Sequence, residues 1–474
     1  MLRRYNISPF WFAIFFQLIY VEVLSYETKT VQLNPHPTPD QLAWLEQSDI
    51  GFLIHYNMAT FIPFEYDGCN RVPSLVPDIN LFNPDTVDTD NWAQTFMDVG
   101  AKYAILVAKH NCGFTTWPTQ VKFQLTTNET ILYNYSILYS PISDTDLVSR
   151  FVDSCQQVEI KTGLYYSIIW NNWLNVQGAR VRPGPLAPGQ IPITQETYES
   201  IVLQQLEEIW SNYGPLLEIW FDGGYSQSLK SGILALLEKY QATASIFNGF
   251  GLTNNSIRNT GNEFGYTHED TWLTINDHAQ EDANGDHFSP PECPTTLQVS
   301  DRWFYGGADF PIRPLNELID SYHKTVGRNC KLVLDLAVSR SGLVDPKHAS
   351  RYKEFGDFIR SCYGKPLSSQ FNCSSASCIL RFPSTQLADR VVIREDLRSP
   401  SGASIRQWSL DGYMMWGDCL GCWIPIPSAK GQSIGNKRIV LFGEAVFLQA
   451  IRLNIYNTTG GPQVLAQFDA YLCQ

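Results

Sequence analysis

Apolar residues in this chain gather into short unbroken runs between about residue 48 and residue 340. The runs are Gly51-Phe-Leu-Ile-His55, Tyr103-Ala-Ile-Leu-Val-Ala-Lys109, Gly163-Leu-Tyr-Tyr-Ser-Ile-Ile169, Leu216-Leu-Glu-Ile-Trp-Phe221, Ala244-Ser-Ile-Phe-Asn248 and Leu332-Val-Leu-Asp-Leu336. Runs of this length without alternation fit parallel strands covered on both faces. Between them lie stretches of helical period. The clearest covers 194–213, where Tyr198, Ile201, Val202, Leu206, Ile209 and Tyr213 recur on one face. Strand–helix alternation on this scale predicts a (β/α)8-like TIM barrel. An open doubly wound sheet is the rival, but no Gly-x-Gly-x-x-Gly opens the first helix.

After Tyr363-Gly-Lys-Pro366 the pattern changes. Arg390-Val-Val-Ile-Arg394, Arg438-Ile-Val-Leu-Phe442 and Ala450-Ile-Arg-Leu-Asn-Ile-Tyr456 sit between Gly, Pro, Ser and Asn turns, which predicts a C-terminal antiparallel β-sandwich. At the other end, Met1-Leu-Arg-Arg4 precedes an apolar run from Phe10 to Tyr20. A basic start followed by so short a run describes a signal peptide cleaved near Ser25; an uncleaved anchor is the alternative. The expected organisation is a signal peptide over 1–25, a catalytic barrel over 26–362 and a β-sandwich over 363–474, with no membrane span after cleavage.

Composition narrows the function. The 474 residues are 44% hydrophobic and 17% charged, which excludes a disordered or coiled-coil chain. A net charge of −13 disfavours a phosphate backbone as partner. Aromatics at 13% suit a large core and ring stacking on flat apolar faces. Eleven cysteines, six of them beyond residue 360, suggest disulfides in the C-terminal part of a secreted or lysosomal protein, with at least one thiol left over. Cys419-Leu-Gly-Cys422 resembles half a zinc knuckle, but no second half follows, so a disulfide is the better reading. Sequons at Asn128, Asn134, Asn254, Asn372 and Asn457 are glycosylation candidates.

In a barrel, chemistry sits where strands end at the C-terminal face. The polar endings here are His55, Lys109-His110-Asn111, Tyr165-Tyr166, Asp222-Gly-Gly224 and, after the fifth run, Gly261-Asn262-Glu263. Two carboxylates converging on one mouth are what glycoside cleavage needs. Asp222 closes a buried strand and is followed by glycines that let a ligand approach; capping of the next helix is its plain alternative. Glu263 taken alone is an ordinary loop carboxylate.

These motifs resemble the α-L-fucosidases of glycoside hydrolase family 29, nearest the branch acting on α1,3- and α1,4-linked fucose. The resemblance rests on Ile54-His-Tyr-Asn-Met-Ala-Thr60, Leu81-Phe-Asn-Pro-Asp-Thr-Val-Asp-Thr-Asp-Asn-Trp92, Tyr103-Ala-Ile-Leu-Val-Ala-Lys-His-Asn-Cys-Gly-Phe114 with Trp117-Pro118, Ile219-Trp-Phe-Asp-Gly-Gly224 and Arg258-Asn-Thr-Gly-Asn-Glu263. Trp303-Phe-Tyr305 and Val326-Gly-Arg-Asn329 resemble two branch signatures. It implies a retaining double displacement on a fucosylated glycan, with Asp222 as nucleophile and Glu263 as general acid/base, and with no metal or other cofactor. It further implies sugar contacts from His55, His110, Asn111, Tyr166, Trp117 and Trp303, while Arg258 either reaches the sugar or orients a carboxylate. Glu65, in Phe-Glu-Tyr-Asp-Gly, is either a hydroxyl ligand or a plain loop carboxylate.

Six positions depart from the family pattern. Asn111 stands for a His, Cys112 for an Asp, Tyr56-Asn57 for Phe-Gly, Asn259 for a Trp, and Asp335 for an Asn. Asn111 can still donate and accept hydrogen bonds. Two other classes compete with the enzyme: a quiet fucose-binding protein that keeps the pocket, and an adhesion glycoprotein whose sandwich does the binding. Retention of both carboxylates favours the enzyme.

Overall fold

The computed structural model describes residues 34–47, 49–62, 69, 74–126, 128–260, 262–414 and 421–473. The expected signal peptide, Glu65 and Cys419 lie outside the described residues. Eight parallel strands close into a barrel in sequence order: β1 (Ile50–His55), β2 (Tyr103–Lys109), β3 (Lys161–Tyr166), β4 (Glu218–Trp220), β5 (Ser245–Phe247), β6 (Ser256–Asn259), β7 (Pro291–Thr295) and β8 (Lys331–Ala337). All six apolar runs become barrel strands. β6 and β7 carried no such signal. β6 starts after a tight connection in which Asn248 takes φ 56°, with no helix between it and β5. β7 reads Pro-Glu-Cys-Pro-Thr, poor strand material by composition. Glu263 therefore follows the sixth strand, where the sequence had placed it after the fifth.

The helices are α1 (Pro39–Gln47), α2 (Thr89–Val99), α3 (Leu147–Gln157), α4 (Gln195–Asn212), α5 (Lys230–Tyr240), α6 (Leu315–Lys324) and α7 (Pro346–Tyr363). Their starts are chemically marked. Asp88, Asp146 and Thr194 accept N-cap hydrogen bonds ahead of α2, α3 and α4, and Asp345 caps α7 with Pro346 following it. α4 realises the predicted helix and buries Tyr198, Ile201, Val202, Leu206 and Ile209.

Alternation along each strand decides what faces the barrel lumen. On β4, Glu218 and Trp220 point inward, and the same phase carries on to Asp222. On β3, Tyr165 points inward while Tyr166 joins the helix layer. Leu53, Ile105, Val107, Phe247, Ile257 and Val333 fill the lumen between them. Gly51 is required low in the barrel, since a Cβ there would lie 2.2 Å from the Tyr103 ring.

The barrel floor is polar yet closed. Glu218 Oε2 accepts from Trp44 Nε1 at 2.8 Å; Glu292 accepts from Tyr103 Oη at 2.8 Å and Trp220 Nε1 at 3.0 Å. Lys331 sits over the Trp44 ring at 4.3 Å, and burial lowers its pKa to about 8. Burial and the neighbouring Glu292 push Glu218 well up, and burial raises Glu292 as well. Glu292→Ala leaves the Tyr103 hydroxyl and the Trp220 indole without their buried acceptor and is expected to cost about 3 kcal/mol. Glu218→Gln keeps an acceptor for Trp44 and is expected to melt close to the parent. Denaturant unfolding of both variants checks this.

Beyond α7 the chain forms one antiparallel sheet of six strands: β9 (Phe371–Cys373), β10 (Ser377–Glu395), β11 (Ile405–Met414), β12 (Cys422–Gly431), β13 (Arg438–Thr458) and β14 (Leu465–Tyr471). The long strands β10 and β13 break register between Arg381 and Gln386 and again between Ala388 and Arg390. Bulges bend strands, and residues from both halves of the bent pair, such as Leu380, Val391, Val440 and Leu453, share one core. The sheet is tied to the barrel through Lys437 Nζ to Asp49 at 2.5 Å and Asn329 Nδ2 to Ser433 Oγ at 2.8 Å.

Disulfides join Cys69–Cys112, Cys293–Cys330, Cys362–Cys473 and Cys373–Cys378; Cys422 is also disulfide-bonded. Cys155, buried in α3, is the free thiol that the odd count required. Among the sequons, Asn128, Asn134, Asn372 and Asn457 are exposed and Asn254 is half-buried. Among the described residues no helix is long and apolar enough to cross a membrane.

Candidate active site

A cavity of about 490 Å³ opens at the C-terminal ends of the barrel strands. Its polar lining includes His55, His110, Asn111, Tyr165, Asp222, Asn248, Asn259 and Glu263; its apolar lining includes Trp220, Phe247, Trp303 and Phe304.

Asp222 stands at the exit of β4 on a tight turn. Gly224 N donates to Phe221 O at 3.1 Å, and Gly223 occupies the left-handed region at φ 68°. A side chain at Gly223 would also run into Ile169, with its Cβ 2.2 Å from Cδ1. Asn248 Nδ2 fastens the same turn by donating to Phe221 O at 3.0 Å. One carboxylate oxygen, Oδ2, accepts from Tyr165 Oη at 2.9 Å. Burial raises the Asp222 pKa and the tyrosine donation pulls it down.

Glu263 lies at the cavity mouth on the loop after β6. Thr295, at the end of β7, holds its backbone by donating to Glu263 O at 2.6 Å. Trp303 Nε1 donates to Glu263 Oε2 at 3.0 Å. Desolvation raises the Glu263 pKa, Asp301 and Asp222 add to the rise, and Trp303 opposes it. Asp222 and Glu263 lie 41 positions apart with α5, β5 and β6 between them, so the barrel alone brings them to one cavity.

His55 ends β1 and places Nδ1 2.8 Å from Asp335 Oδ1. His110 stacks on Tyr165 with ring centroids 5.6 Å apart, and burial lowers its pKa to about 3. Phe304 meets both histidine rings edge-on, at 5.1 Å and 5.0 Å. Asn111 accepts from Ser167 Oγ at 3.1 Å. The Cys69–Cys112 disulfide anchors the turn that carries His110 and Asn111.

Three residues expected at the site lie elsewhere. Tyr166 faces outward and donates to Gln205 of α4 at 2.7 Å; its inward neighbour Tyr165 is the tyrosine at Asp222. Trp117 is buried in the helix layer, with Nε1 on Glu208 at 2.9 Å. Arg258 is committed to Ser289 O, Trp272 O and Glu281. Strand parity, counted back from Gly163, would have separated Tyr165 from Tyr166. Phe304 and Phe247 carried no polar signal and were not singled out, while Asn259, noted only as a departure, lines the wall.

A family model described as Alpha-L-fucosidase matches residues 63–364. The chain belongs to the alpha-L-fucosidase family. It is thus a glycoside hydrolase of the fucosidase type. Alpha-L-fucosidase 1 of Arabidopsis thaliana is 25% identical over 413 residues, covering 81% of this chain and 73% of the plant protein. A solved Bacteroides thetaiotaomicron protein assigned to the alpha-L-fucosidases superposes with a TM-score of 0.78 at 28% identity, covering 93% of this chain and all of the bacterial one. A Ruminococcus gnavus GH29 fucosidase solved in complex with fucose shares the fold, with a TM-score of 0.73 at 19% identity over 94% of this chain and 96% of its own. Shorter matches include human plasma alpha-L-fucosidase, 24% identical over 38% of this chain and 39% of that protein. The closed barrel followed by an antiparallel sheet is thus the fucosidase architecture.

Proposed function

We propose that this fucosidase is a retaining exo-glycosidase that removes terminal α-L-fucose, linked α1,3 or α1,4, from glycoprotein, glycolipid or oligosaccharide glycans. The observation that carries the mechanism is the pairing of two carboxyls in one cavity, of which Glu263 alone is pushed up by neighbouring acidic groups, Asp301 and Asp222. Asp222, at the closed end of the strand, keeps an acceptor oxygen stabilised by Tyr165 and serves as the nucleophile on the anomeric carbon. Glu263, at the mouth, is raised toward its protonated form and gives that proton to the departing glycan oxygen. In the second half it takes a proton from water, which then releases fucose from Asp222. His55, His110 and Asn111 offer polar contacts to the hydroxyls, while Trp220 and Phe247 offer an apolar wall to the C5 methyl group.

The branch assignment is supported by the Trp303-Phe-Tyr segment, which puts Trp303 and Phe304 on the cavity. The second signature lends no such support, since Asn329 is buried and bonded to Thr271 O and Ser433 Oγ. Secretion or lysosomal delivery fits the N-terminal pattern and the plasma and tissue enzymes among the relatives. The test is fucose release from an α1,3/1,4-fucosylated oligosaccharide beside an α1,2-linked one. Release from the branched glycan at least tenfold faster is expected. Equal rates would overturn the branch, and fucose binding without release from either would favour a lectin-like protein.

A further inference from the structure

The wall behind His55 holds a carboxyl that the mechanism above does not use. Asp335 lies on β8, paired in register with Leu53, and its Oδ1 meets His55 Nδ1 at 2.8 Å. Asp335 is fully buried, and His55 is 4% exposed. Among the described residues no lysine or arginine pairs with Asp335, and its Oδ2 has no hydrogen-bond partner. The Tyr352 hydroxyl of α7 donates to the Asp335 main-chain oxygen, which fixes the strand and leaves the carboxyl to His55 alone.

We propose that Asp335 is a positioning residue that fills the Nδ1 side of His55 and thereby presents Nε2–H to the cavity as a donor for a sugar hydroxyl. The argument is a count of protons. With one proton between Oδ1 and Nδ1, either as a carboxylic acid donating to Nδ1 or as Nδ1–H donating to a carboxylate, the second imidazole proton must sit on Nε2. If the pair loses one proton, Nδ1–H donates to the carboxylate and Nε2 becomes an acceptor. The surroundings favour the first state. An isolated buried carboxylate is costly, and burial pushes the Asp335 carboxyl well up and the His55 imidazole well down. A neutral acid donating to neutral His55 satisfies both.

Other groups face His55 from each neighbouring element. His110, after β2, lies 5.9 Å away between ring centroids and is itself held low by burial and Lys109. Tyr165 of β3 lies at 6.5 Å and is tied to Asp222. Trp303 and Phe304 lie at 5.0 Å and 5.1 Å, the former carrying Glu263. None of these is a cation that would hold Asp335 ionised. The family's asparagine at this position can hydrogen-bond to Nδ1 but cannot change charge, so the aspartate makes the donor character of His55 dependent on pH.

The inference rests on His55 contacting fucose, and its test separates the two. Nitrogen NMR of histidine-labelled full-length protein reads the His55 tautomer directly, with Asp335→Asn used to assign the resonance. The expected result at pH 5 is a protonated Nε2 and an acceptor-type Nδ1, converting to the opposite tautomer as pH rises. In parallel, L-fucose affinity is measured by calorimetry from pH 5 to pH 9. The parent is expected to weaken by about tenfold on the alkaline side, and Asp335→Asn to bind within about threefold of the parent at pH 5 and lose that alkaline weakening. An unprotonated Nε2 at pH 5, or an identical pH dependence in Asp335→Asn, would overturn the proposal. Absence of fucose binding at every pH, with the predicted tautomer present, would instead refute the sugar contact and leave the proton arrangement standing.

Discussion

Asp222→Ala is expected to lower fucoside hydrolysis by on the order of 10⁴-fold without unfolding the barrel. The size of the loss follows from the role. With the carboxylate gone, no group is held against the anomeric carbon to form the glycosyl-enzyme, and the effective concentration of a positioned nucleophile disappears with it. The fold should survive because Asp222 sits on a turn held by Gly224 N to Phe221 O and by Asn248, neither of which uses its side chain. The variant also opens a space beside Tyr165 that a small anion can enter. Azide is expected to restore turnover and to give β-L-fucosyl azide, because it attacks from the face that Asp222 occupied. Recovery of an α-azide, or activity within tenfold of the parent, would remove Asp222 from the nucleophile's place.

How much of this was legible in the sequence depends on the element. Unbroken apolar runs mark strands buried on two faces, so six of the eight barrel strands could be read directly. β6 and β7 could not: they are short, carry prolines or polar residues, and have no helix between β5 and β6 to announce them. Their register exists only because neighbouring strands supply partners, Ser256 on Ile246 and Glu292 on Lys331. The two carboxylates and the two histidines were legible because strand-end positions in a barrel converge. Trp117 and Arg258 were misplaced because a motif records which residues travel together and not which way each one points. Trp117 turns into the helix layer toward Glu208, and Arg258 supports the loop that Glu281 belongs to. The polar floor of Glu218, Glu292 and Lys331 was invisible for a related reason. Each residue comes from a different strand, and only barrel closure makes them one cluster.

Glu263→Ala should separate the two halves of the reaction by leaving group. For a natural glycan, whose alkoxide is a poor leaving group, loss of the acid is expected to slow fucosyl transfer to Asp222 by about 10³-fold. For an aryl fucoside with an acidic phenol, that step needs little protonation and should be nearly spared. The pH profile follows from the same two groups. In the proposed mechanism the active form has Asp222 ionised and Glu263 protonated, so the rate is expected to rise as pH climbs through the Asp222 pKa and to fall as it passes that of Glu263. Burial raises both. Trp303 Nε1 favours the ionised form of Glu263 by donating to Oε2. Trp303→Phe removes that donor, so the alkaline limb should move to higher pH while the acid limb stays. In Glu263→Ala the alkaline limb should vanish altogether. An alkaline limb that persists in Glu263→Ala, or an equal loss on the aryl fucoside and the glycan, would mean that another group supplies the proton and that Glu263 serves only to hold Trp303 at the mouth.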